Sequence, residues 1–210
     1  MVGKGSRLGR PSTVCPVCGG DPADLITREY AYLFGQYLGD GMLTACPRGV
    51  WRLRIFTASA YPGIIDECAR AMAAVRPTNR VGFVKPRNVA MVEVYSYSKH
   101  WKCLFPQAGP GPKHKRHLIL EPWQGTVIMD YPGDFLRGLI HSDGCRVINK
   151  VNGYQYPRYL FSNRSVDIQL LFGIACDLLD IRWRNNKWYE ISIAKRDSVA
   201  RMDEFVGPKR

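Results

Sequence analysis

Leu33-Phe34-Gly35-Gln36-Tyr37-Leu38-Gly39-Asp40-Gly41 occurs a second time, in altered form, as Leu136-Arg137-Gly138-Leu139-Ile140-His141-Ser142-Asp143-Gly144. Each copy is an apolar run of helical character with small residues four apart, Gly35 and Gly39 in one and Gly138 and Ser142 in the other. Each ends in Asp-Gly. A glycine inside a helix costs about 1 kcal/mol relative to alanine. Its repetition at one spacing implies a compensating contact, and the simplest is close approach of two helix backbones. If the copies pack on each other, Asp40 and Asp143 emerge at one end. Two adjacent carboxylates beside glycines that admit another backbone suit a hard divalent cation.

Both stretches resemble the LAGLIDADG motif of homing endonucleases, and two copies in one chain resemble that family's single-chain, pseudo-symmetric members. The eighth motif position, the family's metal-binding acid, falls on Asp40 and Asp143. The second copy departs from the consensus at His141, where the family carries a non-catalytic acid; a histidine there reads as a packing or capping residue. The chain has neither Cys nor Ser after its first Met and no His-Asn at its C-terminus, so it does not resemble an intein and reads as free-standing.

Size and charge agree with this reading. The 210 residues carry a net charge of +12 and 46% apolar residues. That apolar content supports a core, and the charge, with a pI of about 9.5, points to a polyanionic partner. No apolar run reaches the roughly 18 residues that span a bilayer. The basic residues 1–10 lack the apolar segment of a secretory signal. Seven cysteines, an odd number without framework spacing, suit a reducing compartment. The expected location is the cytoplasm, with the nucleoid in a bacterium.

Along the chain, residues 1–22 read as a flexible basic arm, with Lys4, Arg7 and Arg10 available to phosphates. The arm contains Cys15-Pro16-Val17-Cys18, half of a zinc knuckle. No second Cys-x-x-Cys or His pair follows, and Cys46 or Cys68 could complete a site only by tertiary accident. The expectation is a turn with two free thiols and no zinc. Residues 23–105 form the first repeat, 106–122 a Pro/Gly/basic linker containing Lys113-His114-Lys115-Arg116-His117, and 123–210 the second repeat. Within the first, a helix over 24–40 with Thr27 as N-cap precedes a hairpin around Pro47-Arg48-Gly49. A helix over 61–75 and a hairpin around Pro86-Arg87-Asn88 follow. The second repeats the order, with hairpins around Asn152-Gly153 and Asn185-Asn186 and Ser165 as a helix N-cap.

Val94-Tyr95-Ser96-Tyr97-Ser98-Lys99 aligns with Glu190-Ile191-Ser192-Ile193-Ala194-Lys195, so both fourth strands end in a lysine that opens a helix. Each half is then α-β-β-α-β-β-α, the order of the LAGLIDADG module. The resemblance implies an α+β fold in which two antiparallel sheets form a saddle on a central helix pair, and a monomer, because both half-sites are in one chain. It implies double-stranded DNA as partner and Mg²⁺ or Mn²⁺ on Asp40 and Asp143. Lys99 and Lys195 match a basic residue near the scissile phosphates. Strand alternation makes Arg52, Arg54, Arg146, Lys150, Arg158, Arg182 and Arg184 the candidates for DNA contact. Three activities use such a fold: site-specific DNA cleavage, DNA-binding regulation without cleavage, and RNA maturation. Intact acids favour the first.

Overall fold

The computed structural model describes residues 15–207 and 209. The basic Lys4, Arg7 and Arg10 lie outside the described residues. The first motif forms α1 (Arg28–Asp40), capped by Thr27, whose hydroxyl accepts from the Tyr30 N–H at 3.2 Å. It leads directly into β1 (Gly41–Ala45) and β2 (Trp51–Ala58), joined by a turn in which Arg48 has φ 62°. Then come α2 (Pro62–Val75), β3 (Val81–Val84), β4 (Met91–Ser98) and the single-turn α3 (Trp101–Leu104). After the linker, α4 (Pro122–Asp130) precedes the second motif helix, α5 (Pro132–Asp143). The order then repeats as β5 (Gly144–Val151), β6 (Tyr154–Ser162), α6 (Val166–Asp177), β7 (Arg184–Lys187), β8 (Glu190–Ile193) and α7 (Arg196–Asp203).

The two sheets share one topology, β1-β2-β4-β3 and β5-β6-β8-β7, with every neighbouring pair antiparallel. One strand departs from the sequence reading. A turn at Asn185-Asn186 was expected, but those residues lie within β7, and the reversal falls at Trp188-Tyr189. Arg182 is therefore outside the sheet.

The small residues sit where the helices cross. A Cβ on Gly35 would lie 2.5 Å from the Phe135 carbonyl oxygen, and one on Gly138 would collide with the Tyr32 carbonyl oxygen. Only hydrogen fits at either position, so α1 and α5 approach backbone to backbone. Around them Leu33, Phe34, Leu38, Phe135, Leu136 and Leu139 are fully buried. His141 is a packing residue, as expected. It is buried, with Nδ1 3.1 Å from the Tyr32 hydroxyl and Nε2 3.0 Å from the Val206 carbonyl. Burial lowers its pKa to about 4, which keeps it neutral.

Residues 15–22 do not behave as an arm. Cys15 is only 2% exposed and belongs to the core, and a short 3-10 turn at Pro22–Leu25 leads into α1. The linker is likewise packed: Gln107 is buried and donates to Gln124 at 2.6 Å, and the Leu118 N–H donates to Asp167 at 2.8 Å.

Candidate active site and nucleic-acid interface

Asp40 and Asp143 are the last residues of α1 and α5, so the crossing that buries the glycines also brings the acids together. A Cβ on Gly39 would strike the Ser142 side chain and come within 2.9 Å of the Asp143 carboxylate. The second acid thus lies over the residue preceding the first. Burial, and then the like charge of Asp143, raise the Asp40 carboxyl to about 6. Burial also raises Asp143, opposed by a 2.6 Å hydrogen bond from the Asn163 amide and by the charges of Lys113 and Lys209.

The sequence offered Lys113 only as part of a basic linker. In the fold its ammonium enters the site and donates to the carbonyl oxygens of Tyr37 (2.5 Å), Gly39 (3.1 Å) and Gly41 (2.6 Å). These lie at the C-terminal end of α1, where the helix dipole favours a cation. Burial lowers Lys113 to about 8, with Asp143 and Asp40 opposing that shift. No periodicity marks a lysine in a Pro/Gly linker; only the chain's return to the helix end shows it.

Lys99 and Lys195 are not brought to the acids. Gly41, next to Asp40, pairs with Ile55, whereas Ser98, next to Lys99, pairs with Trp51. Four residues of strand separate these levels, roughly 13 Å at about 3.3 Å per residue. In the second sheet Gly144 pairs with Phe161 and Ile193 with Tyr159, and Lys195 lies two residues further along. Lys195 is exposed and lines a cleft with Asp177, Arg182 and Asp197. A lysine at a strand's end is identifiable from sequence; which end of the sheet that is depends on register.

The candidate DNA-contacting residues divide between the two faces of the sheets. In β2, Leu53 and Ile55 are buried against the helices, so Arg52 and Arg54 point to the open face. There both bind Glu93 of β4, Arg52 at 2.5 Å and Arg54 at 2.7 Å, and the Arg52 guanidinium lies 4.3 Å from the centre of the Tyr95 ring. Glu93, Tyr95 and the exposed Tyr97 were missed, although their alternation in β4 is the same signal. Arg158 and Arg184 also fall on the open face: Arg158 alternates with the buried Tyr159, and Arg184 pairs with Ser192, out of phase with the buried Ile191 and Ile193.

Arg146 does not. It pairs with Tyr159, shares the helix-side face with it, and forms two hydrogen bonds, at 2.8 and 2.9 Å, with Asp203 of α7. Lys150 follows the same alternation and is exposed near the β5–β6 turn. Arg182 precedes β7 and its backbone N–H donates to Ser198 at 3.0 Å, which places it beside α7.

No helix of the described residues is long and apolar enough to cross a membrane. The donors around the acids are oxygens: two carboxylates, with the carbonyls that end α1 next to them. That set matches Mg²⁺ or Mn²⁺.

No family model matches the chain, and no curated protein is similar to it in sequence. Solved structures are similar in fold. I-DmoI in complex with DNA and Mn matches with a TM-score of 0.56 at 15% identity, over 87% of this chain and 98% of that one. The N-terminal LAGLIDADG domain of WhiA matches with a TM-score of 0.53 at 14% identity, over 97% and 96%. The homing endonuclease I-WcaI bound to its DNA recognition sequence matches with a TM-score of 0.50 at 14% identity, over 97% and 91%. With both motif helices paired, both sheets alike in topology and these similarities in fold, the chain has the LAGLIDADG fold in its single-chain, two-repeat form.

Proposed function

We propose that the chain is a site-specific, metal-dependent double-stranded DNA endonuclease of the homing type. The observation that carries this reading is the meeting of Asp40 and Asp143 at the end of the helix pair, with Lys113 opposing their charge. The two acids would hold Mg²⁺ or Mn²⁺. Such ions, when bound, activate water and stabilise the leaving oxygen of a phosphodiester. Lys113 fixes the end of α1, where β1 starts, and offsets carboxylate repulsion before DNA arrives. Arg52, Arg54, Arg158 and Arg184 would face the major groove from the open sheet faces, where a β-ribbon reads base edges. Repeats 23–105 and 123–210 would each take one half-site. The strand register supports giving Lys99 and Lys195 no part in bond cleavage.

One observation favours a second reading, a DNA-binding regulator that does not cut. Lys113 already supplies a cation to the helix-end carbonyls, so the fold can balance its acids without metal. The I-DmoI and WhiA similarities accommodate both readings. Selection of bound duplexes from a random library, followed by incubation of the winners with Mg²⁺ or Mn²⁺, separates them. The endonuclease cuts both strands within the selected site; a tightly bound duplex left intact in either metal makes the protein a regulator.

A further inference from the structure

We propose that Cys15, Cys18, His100 and Cys103 are the four ligands of a structural zinc ion that ties the segment ahead of α1 to the helix closing the first repeat. The sequence reading offered the Cys15/Cys18 pair only Cys46 or Cys68, by tertiary accident; neither is in the group. The fold supplies them from an element 82 residues away: Cys18 Sγ lies 3.3 Å from His100 Nδ1. One ligand atom from each of the four residues lies within 4.8 Å of all the others. A tetrahedral zinc with Zn–S near 2.3 Å and Zn–N near 2.0–2.1 Å has its ligand atoms about 3.5–3.8 Å apart. Closing the group onto an ion thus needs movements of about an ångström or less.

Local geometry aims each pair inward. The Cys15-Pro16-Val17-Cys18 stretch is a tight turn in which the Gly19 N–H donates to the Cys15 carbonyl at 3.0 Å. His100 caps α3 and Cys103 lies within it, and the Cys103 N–H donates to the His100 carbonyl at 3.0 Å. Both pairs therefore have Cys-x-x-Cys-like spacing on one-turn elements, the arrangement of a zinc knuckle. Three thiols and one imidazole are borderline-soft donors that select zinc over magnesium or calcium. Four protein ligands leave no open position, which marks a structural site rather than a catalytic one. Cys15 is buried and Cys18 exposed, so the site straddles core and surface. All four cysteines outside the group, Cys46, Cys68, Cys145 and Cys176, lie elsewhere in the fold as free thiols.

The proposal stands apart from the nuclease reading, and its test reads metal rather than cleavage. The full chain is purified under reducing conditions and its zinc content measured, with Co²⁺ exchange as a spectroscopic probe. The expected result is one zinc per chain and, with Co²⁺, the thiolate charge-transfer and strong visible bands of a tetrahedral S₃N site. Cys18→Ser, at an exposed position, should lose the metal. His100→Cys should keep it as a four-thiolate site with shifted Co²⁺ bands, and Cys46→Ser should leave zinc content unchanged. Removing zinc should lower the melting temperature by roughly 5 °C or more. Wild-type protein with less than about a tenth of an equivalent of zinc and no tetrahedral Co²⁺ spectrum would overturn the proposal. So would Cys18→Ser protein that retains the metal. Should Cys18→Ser fail to fold, the wild-type Co²⁺ spectrum and the His100→Cys variant decide.

Discussion

The Lys113 ammonium donates to the Gly41 carbonyl at 2.6 Å, joining the inter-repeat linker to the junction of the first motif helix and its strand. With Tyr37, whose carbonyl also accepts the Gly41 N–H, and Gly39, it takes three carbonyls at the junction of α1 and β1. Lys113→Met should therefore lower stability by about 1–3 kcal/mol, read by denaturant melting. It should also raise the Asp40 pKa further, since Lys113 is a positive charge holding that value down. An unchanged melt would show that the carbonyls find water instead.

The acids give the metal-free protein a defined pH dependence. Asp40 titrates near 6 when folded, above its ordinary 3.8. Between those values the folded state binds more protons than the unfolded state, so this group's contribution to stability falls as pH rises from about 4 to 6. Lys113 acts in the opposite sense at higher pH. Its folded value of about 8 lies below the ordinary 10.5, so the unfolded state holds more protons there and stability rises from about pH 8 to 10.5. Stabilisation by Mg²⁺ should appear only above about pH 6, where Asp40 is ionised. Melting temperatures with and without Mg²⁺ across that range check this; equal stabilisation at pH 5 would place the ion elsewhere.

Asp40→Asn and Asp143→Asn preserve shape and remove charge. Each should reduce cleavage of the selected duplex by at least ~100-fold. Binding should hold or tighten, because the carboxylates repel phosphates. Lys99→Ala and Lys195→Ala should leave the rate of cleavage within a few-fold of wild type, as the register keeps both lysines away from the acids. A large drop in rate for either lysine variant would contradict that placement.

Helix contact predicts opposite signs at different glycines. Gly35→Ala and Gly138→Ala push a methyl into facing backbone, and overpacking costs about 1–3 kcal/mol. Gly125, in α4, has nothing within 4 Å of its would-be Cβ. Gly125→Ala should stabilise by about 0.5–1 kcal/mol through helix propensity. Thermal melts of the three variants should move in those directions.

On the open face, Glu93→Gln releases Arg52 and Arg54 from their shared carboxylate. Non-specific DNA affinity should rise, and the salt slope should steepen by about 1–2 as two more phosphates are neutralised. Arg146→Ala should leave that slope alone, because Arg146 is held by Asp203 on the helix side. Binding titrations over a salt series distinguish the two variants.

The repeated motif was legible because its information is local. Glycines four apart and a terminal Asp-Gly specify a helix with a bare stripe, and two such stripes specify each other; Asp40 and Asp143 follow without any long-range knowledge. Alternation in β2 and β5 was equally legible, but it states only that Arg146, Ile148 and Lys150 share a face. Which face that is depended on Tyr159 across the strand pair and on Asp203 in α7. Lys99 was visible as the end of a strand, while its distance from the acids followed from the pairing of Ser98 with Trp51. Lys113 carried no pattern in the linker, since its role comes from three carbonyls more than seventy residues earlier. Cys15 and Cys18 showed half a metal site in sequence. The other half was supplied when β4 delivered His100 and Cys103 to the same place, because side chains far apart in the chain meet only through the packing of the elements that carry them.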